Sequence, residues 1–175
     1  MLELWKMRRA RKAVLAAILP LVQRTRFVHG HISDDAWLEA YMVGFLSMLI
    51  TLIAQRSVSS IGSDALGNVQ ADTWQEITGL PGSLFGEEMC LLSASGHRDF
   101  ERGCHNAAML VTAMTARRST EGIAFVEPCL DGAMYGSLTD QMRIDEDVWT
   151  LWSDYFERAR SRVSGLRDGQ GRWER

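Results

Sequence analysis

The chain has 175 residues, 46% hydrophobic and 23% charged, the composition of one globular domain able to bury roughly two-thirds of its unfolded surface. Its net charge is only −3, which excludes a strong overall pull toward nucleic acid or anionic membrane. The charge is nonetheless segregated: residues 1–30 carry +6, residues 158–175 carry +4, and the stretch between carries −13. Basic ends can fold back on an acidic body, or pair with it in a second subunit, and a block of this kind is also simply a solvated face. Cys90, Cys104 and Cys129 are odd in number and form no C-x-x-C pair. That favours reduced thiols in the cytoplasm over a disulfide frame or a structural zinc site.

Helical periodicity dominates from the first residues. A segment over about 2–28 places Val14, Leu15, Ile18, Leu21 and Val22 on one face, with Pro20 expected to kink or restart it. Its basic run Lys6, Arg8, Arg9, Arg11 and Lys12 precedes apolar Ala13–Val22. The following Gln23-Arg24-Thr25-Arg26 has no small-residue cleavage site, so the segment reads as a basic amphipathic helix and not as a signal peptide. Such a helix could touch a membrane surface peripherally. Gly30 breaks it, and Ser33 is the expected N-cap of the next, with Asp34 and Asp35 in the first turn where the helix dipole favours negative charge.

The second segment, 34–57, is apolar almost all the way round. Glu39, Ser47, Thr51 and Gln55 interrupt it at intervals of four or eight, which on one continuous helix forms a narrow polar stripe. Such a helix is either the centre of a bundle or a membrane span. Its uninterrupted apolar part, Ala40–Ala54, would extend about 22 Å, short of the roughly 30 Å hydrocarbon core. The other segments each have a single greasy face, which suits helices surrounding a central one. The bundle is therefore expected, and a membrane span is not.

Amphipathic helices follow at about 64–78, 83–95 and 98–118, the last with the stripe Phe100, Cys104, Ala107, Val111 and Met114. Between 119 and 143 the pattern loosens around Gly122, Pro128, Gly132 and Gly136. One or two short helices fit there better than a sheet built on Ile123–Val126. A final helix over about 145–164 opens with three acids and buries Trp152, Tyr155 and Phe156. The expectation is an all-α, single-domain helical bundle of five to seven helices around a strongly apolar central helix, spanning 1–164, with a polar tail at 165–175 holding Trp173.

Chemistry is sparse. The most ligand-like cluster is His29, His31, Asp34 and Asp35, whose N/O donors suit a first-row metal. Ser33 stands where the binuclear H-x-H-x-D-H pattern would need Asp, and helix-start electrostatics explain both acids alone. His97, Glu101 and His105 fall at i, i+4 and i+8, but the two histidines are about 12 Å apart along a helix and cannot share one ion. Cys104 reads as a small core residue and not as a nucleophile. There is no Glu-x-x-His pair for a di-iron bundle. Gly62 to Gly67 has P-loop spacing without the lysine, and His97-Arg98-Asp99 lacks the rest of a kinase loop. No helix-turn-helix signature supports nucleic-acid binding, and no motif names a cofactor.

Two functions lead, and peripheral membrane attachment through the basic N-terminal helix is a third. The first is a non-enzymatic helical protein acting through protein–protein contacts as an adaptor, regulator or accessory factor, homodimeric or with a protein partner. The alternative is a bundle that binds a small molecule, cofactor or metal between helices, with or without catalysis. Its polar groups would come from Glu39, Ser47 and Thr51 together with the His29–Asp35 cluster.

Overall fold

A computed structural model describes residues 2–120 and 146–157, and no strand occurs among them. Helix α1 (Leu2–His29) runs unbroken through Pro20, so the proline does not divide it. Ala10, Val14, Ile18, Leu21, Val22 and Thr25 are buried because spacings of three and four keep them on one side. Gly30 closes the helix at φ 78, its N–H donating to the Arg26 carbonyl at 2.9 Å. That left-handed geometry is one glycine adopts without strain.

The expected helix over 34–57 is two helices, α2 (Asp34–Trp37) and α3 (Ala40–Ser57). At Glu39 the backbone becomes extended (φ −58, ψ 135). The reason lies in Trp37. On a straight helix it would lie about five full turns from Gln55 and on the same side, and Gln55 is exposed. The break turns Ala36 and Trp37 into the core instead, where both are buried.

Helix α3 is the centre of the bundle. Met42, Val43, Phe45, Leu46, Leu49, Ile50 and Ala54 are buried along it, and it meets α1, α4 (Ser63–Thr78), α5 (Gly82–Ala94) and α6 (Arg98–Thr120). Its most extensive partner is α6. The two run side by side in the same sense. Gly44 lies against Phe100, and further along Arg56 donates to the Val111 carbonyl at 3.1 Å. Glycine permits the closeness: a Cβ at Gly44 would collide with the Phe100 carbonyl oxygen, and one at Gly103 with the backbone of Tyr41 and Phe45.

Rings fill the rest of the core. Phe85 of α5 stacks on Trp74 of α4 at 4.5 Å, Trp74 meets Trp37, and Trp37 meets Phe156. Helix α7 (Glu146–Trp152) passes into one π-helical turn, Ser153–Glu157. There Trp152 and Phe156 stack at 4.4 Å and both meet Phe45. The Trp152 indole N–H donates to the Thr25 hydroxyl at 2.9 Å, which donates to the Leu21 carbonyl at 3.0 Å. A buried indole is thereby satisfied, as desolvation requires. On the surface Arg24 lies over the Trp149 ring at 4.1 Å, tying α7 to α1.

The architecture is thus an all-α bundle around an apolar central helix. The stretch expected to form short helices before residue 143, apart from the end of α6, lies outside the described residues. So do Cys129, the far end of the last helix and the tail with Trp173.

Candidate functional site

The break before α3 also redistributes the polar stripe. Glu39 is exposed at the N-cap position of α3, where its side chain makes no capping bond. Ser47 is buried, its hydroxyl donating to the Gly44 carbonyl at 3.0 Å. Thr51 donates to the Ser47 carbonyl at 2.7 Å and accepts from the Gln70 amide of α4 at 2.8 Å. From α6, the Cys104 thiol donates to the Gly44 carbonyl at 3.4 Å. Ser47 and Thr51 therefore belong to a seam between α3, α4 and α6. Small residues there let helices approach, and each hydroxyl finds a partner.

Burial pushes the Cys104 thiol above its ordinary value, and the nearby Glu101 carboxylate adds slightly to this, while a hydrogen bond with Ser47 opposes it. A thiol held protonated is a poor nucleophile. Cys90, by contrast, is exposed on α5, and both are free thiols.

His29 ends α1, His31 lies in the connection, and Asp34 and Asp35 open α2, all four exposed. Ser33 occupies the predicted N-cap position but makes no side-chain cap bond. Its carbonyl receives the Ala36 and Trp37 N–H groups at 3.0 and 3.3 Å. Among the described residues, no three His, Cys, Asp or Glu side chains are grouped so as to hold a metal ion. His97, Glu101 and His105 all lie on solvent.

A different region combines charge, apolar surface and concavity. A groove of about 680 Å³ opens along α1, rimmed by Arg8, Arg11 and Lys12 and floored by Leu15, Leu19 and Pro20. Glu76 of α4 closes one side, its carboxylate 2.6 Å from Arg11. Beside the groove, Arg9 stacks over Trp5 at 5.3 Å. Sequence pattern marked this helix as basic and amphipathic, but a groove needs α4 alongside, and nothing local in the sequence places it there.

No family model, curated protein or solved structure matches this chain. Its own residues therefore carry the functional argument.

Proposed function

We propose that the protein is a non-enzymatic helical bundle that works through protein–protein contacts, as a homodimeric adaptor, regulator or accessory factor in the cytoplasm. The observation that carries this is at the C-terminal end of α1: Phe27 is 92% exposed and Val28 56% exposed. A phenylalanine so open to water carries apolar area that association would bury, at about 25 cal/mol per Å². The charge layout of the chain adds complementarity between copies, since a basic end of one faces an acidic body in the other. Free thiols at Cys90 and Cys104 suit a reducing compartment. Under this reading α3 is a core helix. It is the one described helix long and apolar enough to cross a membrane, and half of it is buried inside the bundle.

Native mass spectrometry tests the proposal. A dimer that Phe27→Asp converts to monomer, with helicity unchanged, is the expected result. An interface of the obligate type would bury roughly 2,000 Å². A wild-type monomer at micromolar concentration would sink the homodimer.

One observation favours the alternative, a ligand pocket between helices: the α1–α4 groove. Its charged groups are Arg8, Arg11, Lys12 and Glu76, a net positive set that selects an anion, whereas Glu39 and the His29–Asp35 cluster do not line it. Retained organic mass in the same spectrum would support this reading. It would be lost on Lys12→Gln and kept on Glu39→Ala and His31→Ala.

A further inference from the structure

We infer that the N-terminal half of α1 is a docking face for an anionic lipid bilayer. On a helix, Arg8 and Arg9 lie three and four residues after Trp5, and Lys12, Ala16 and Leu19 continue along the same side at spacings of three and four. That side is turned away from the buried face of Val14, Ile18 and Val22. Leu4 is 59% and Trp5 52% exposed, so an aromatic and an aliphatic side chain stand in water at the end of a basic helix. Tryptophan belongs at the headgroup level of a membrane, where its ring is half in the apolar layer and its N–H is wet.

Two of the charges on this face, those of Arg8 and Lys12, are not spent internally. The acids within reach are already engaged: Glu3 pairs with Lys6 at 2.8 Å and Glu76 with Arg11 at 2.6 Å. Arg8 and Lys12 are exposed and have no ion-pair partner among the described residues. Cations on one face, with an apolar groove beneath them and exposed Leu4 and Trp5 beside them, match an anionic bilayer, which offers both headgroup charge and an apolar layer. A nucleic-acid backbone would use the cations and leave Leu4 and the Leu15–Leu19 floor unused. With few cations and little buried apolar area, docking is reversible and salt-sensitive.

The test is co-sedimentation of the full chain with vesicles of phosphatidylcholine containing about one-third phosphatidylglycerol, and with phosphatidylcholine alone. Binding is expected on the anionic vesicles only, with release at about 1 M salt, where screening is nearly complete. Removing both free cations in Arg8→Gln/Lys12→Gln should weaken partitioning about 25-fold, roughly fivefold per charge. Trp5→Ala should weaken it further, and the charge-conserving Arg8→Lys should bind like wild type. Circular dichroism establishes that each variant keeps its helices. No binding by the folded chain, equal binding to neutral vesicles, or an Arg8→Gln/Lys12→Gln variant that binds like wild type would each overturn the inference. Retention on duplex DNA with none on vesicles would overturn it in favour of nucleic acid.

Discussion

Two faces of this bundle are rich in residues that chemistry could use, and they use them in opposite ways. In the seam between α3 and α6, glycine, serine and cysteine lie inside, and every hydroxyl and thiol described there is bonded to a neighbouring carbonyl or amide. On the outer face of α1, Arg8 and Lys12 stand exposed beside Trp5. The seam's polar groups are consumed by packing, and the outer face's are left for something else. Small polar residues on an apolar helix are therefore poor indicators of a site until their partners are known. Unspent charge beside unspent apolar surface is the better indicator.

The sharpest way to break the contrast is to put a methyl group into the seam. Gly44→Ala drives a Cβ into the Phe100 carbonyl oxygen, and Gly103→Ala drives one into the Tyr41 backbone. Backbone cannot swing aside as a side chain can, so the helices must separate. Each substitution should cost about 3 kcal/mol in urea unfolding. Trp5→Ala and Lys12→Gln on the outer face should stay within about 0.5 kcal/mol of wild type. Equal effects on the two faces would erase the distinction.

Next comes the buried bond between Trp152 and Thr25. Thr25→Val keeps the shape but leaves an indole N–H without its acceptor in a site 0% exposed. The expected loss is about 2 kcal/mol, read from the shift in denaturation midpoint at constant m-value. It would also report whether α7 is docked on α1 in solution.

The reach of sequence reading divides along the same line. The all-α class and the apolar centre were legible because both rest on periodicity, which is local. The break at Leu38–Glu39 was not, since Ala36, Trp37 and Leu38 continue the apolar pattern and only the distant Trp74 and Phe156 rings show where Trp37 must go. Gly44 and Gly103 gave no signal either. A glycine inside a helix could equally mark a weak point, and only the partner helix shows that it marks a close approach. The α1 cations were plain in the sequence, and the groove beneath them depends on α4.

A smaller effect tests the seam's polar bond. A double-mutant cycle on Thr51→Val and Gln70→Ala should give a coupling of about 1 kcal/mol, since the two side chains meet at 2.8 Å in a half-buried site. Zero coupling would mean that Thr51 is available for a ligand after all. Smaller again is the Arg11–Glu76 pair, whose side chains are 44% and 40% exposed. Solvent screening limits it to about 0.5 kcal/mol in a salt-dependent cycle.

The last effect is absent at neutral pH and appears only in alkali. Burial raises the Cys104 thiol above its ordinary value of 9.0, so the folded chain holds that proton more tightly than the unfolded chain does. Below pH 9 both states are protonated, and the stability this group confers is fully present. As pH rises past 9 the unfolded chain releases its proton first, and stability falls until the folded thiol also ionises. Wild type should therefore lose more stability than Cys104→Ala between pH 8 and pH 10. The comparison with the variant subtracts every other group that titrates in that range. Alkylation gives a second reading of the same environment: peptide mapping should find exposed Cys90 modified well before Cys104. If Cys104 reacted as fast as Cys90 and the two pH profiles ran parallel, the α3–α6 seam would be open to water in solution. The glycines at its centre would then no longer account for the close approach of the two helices.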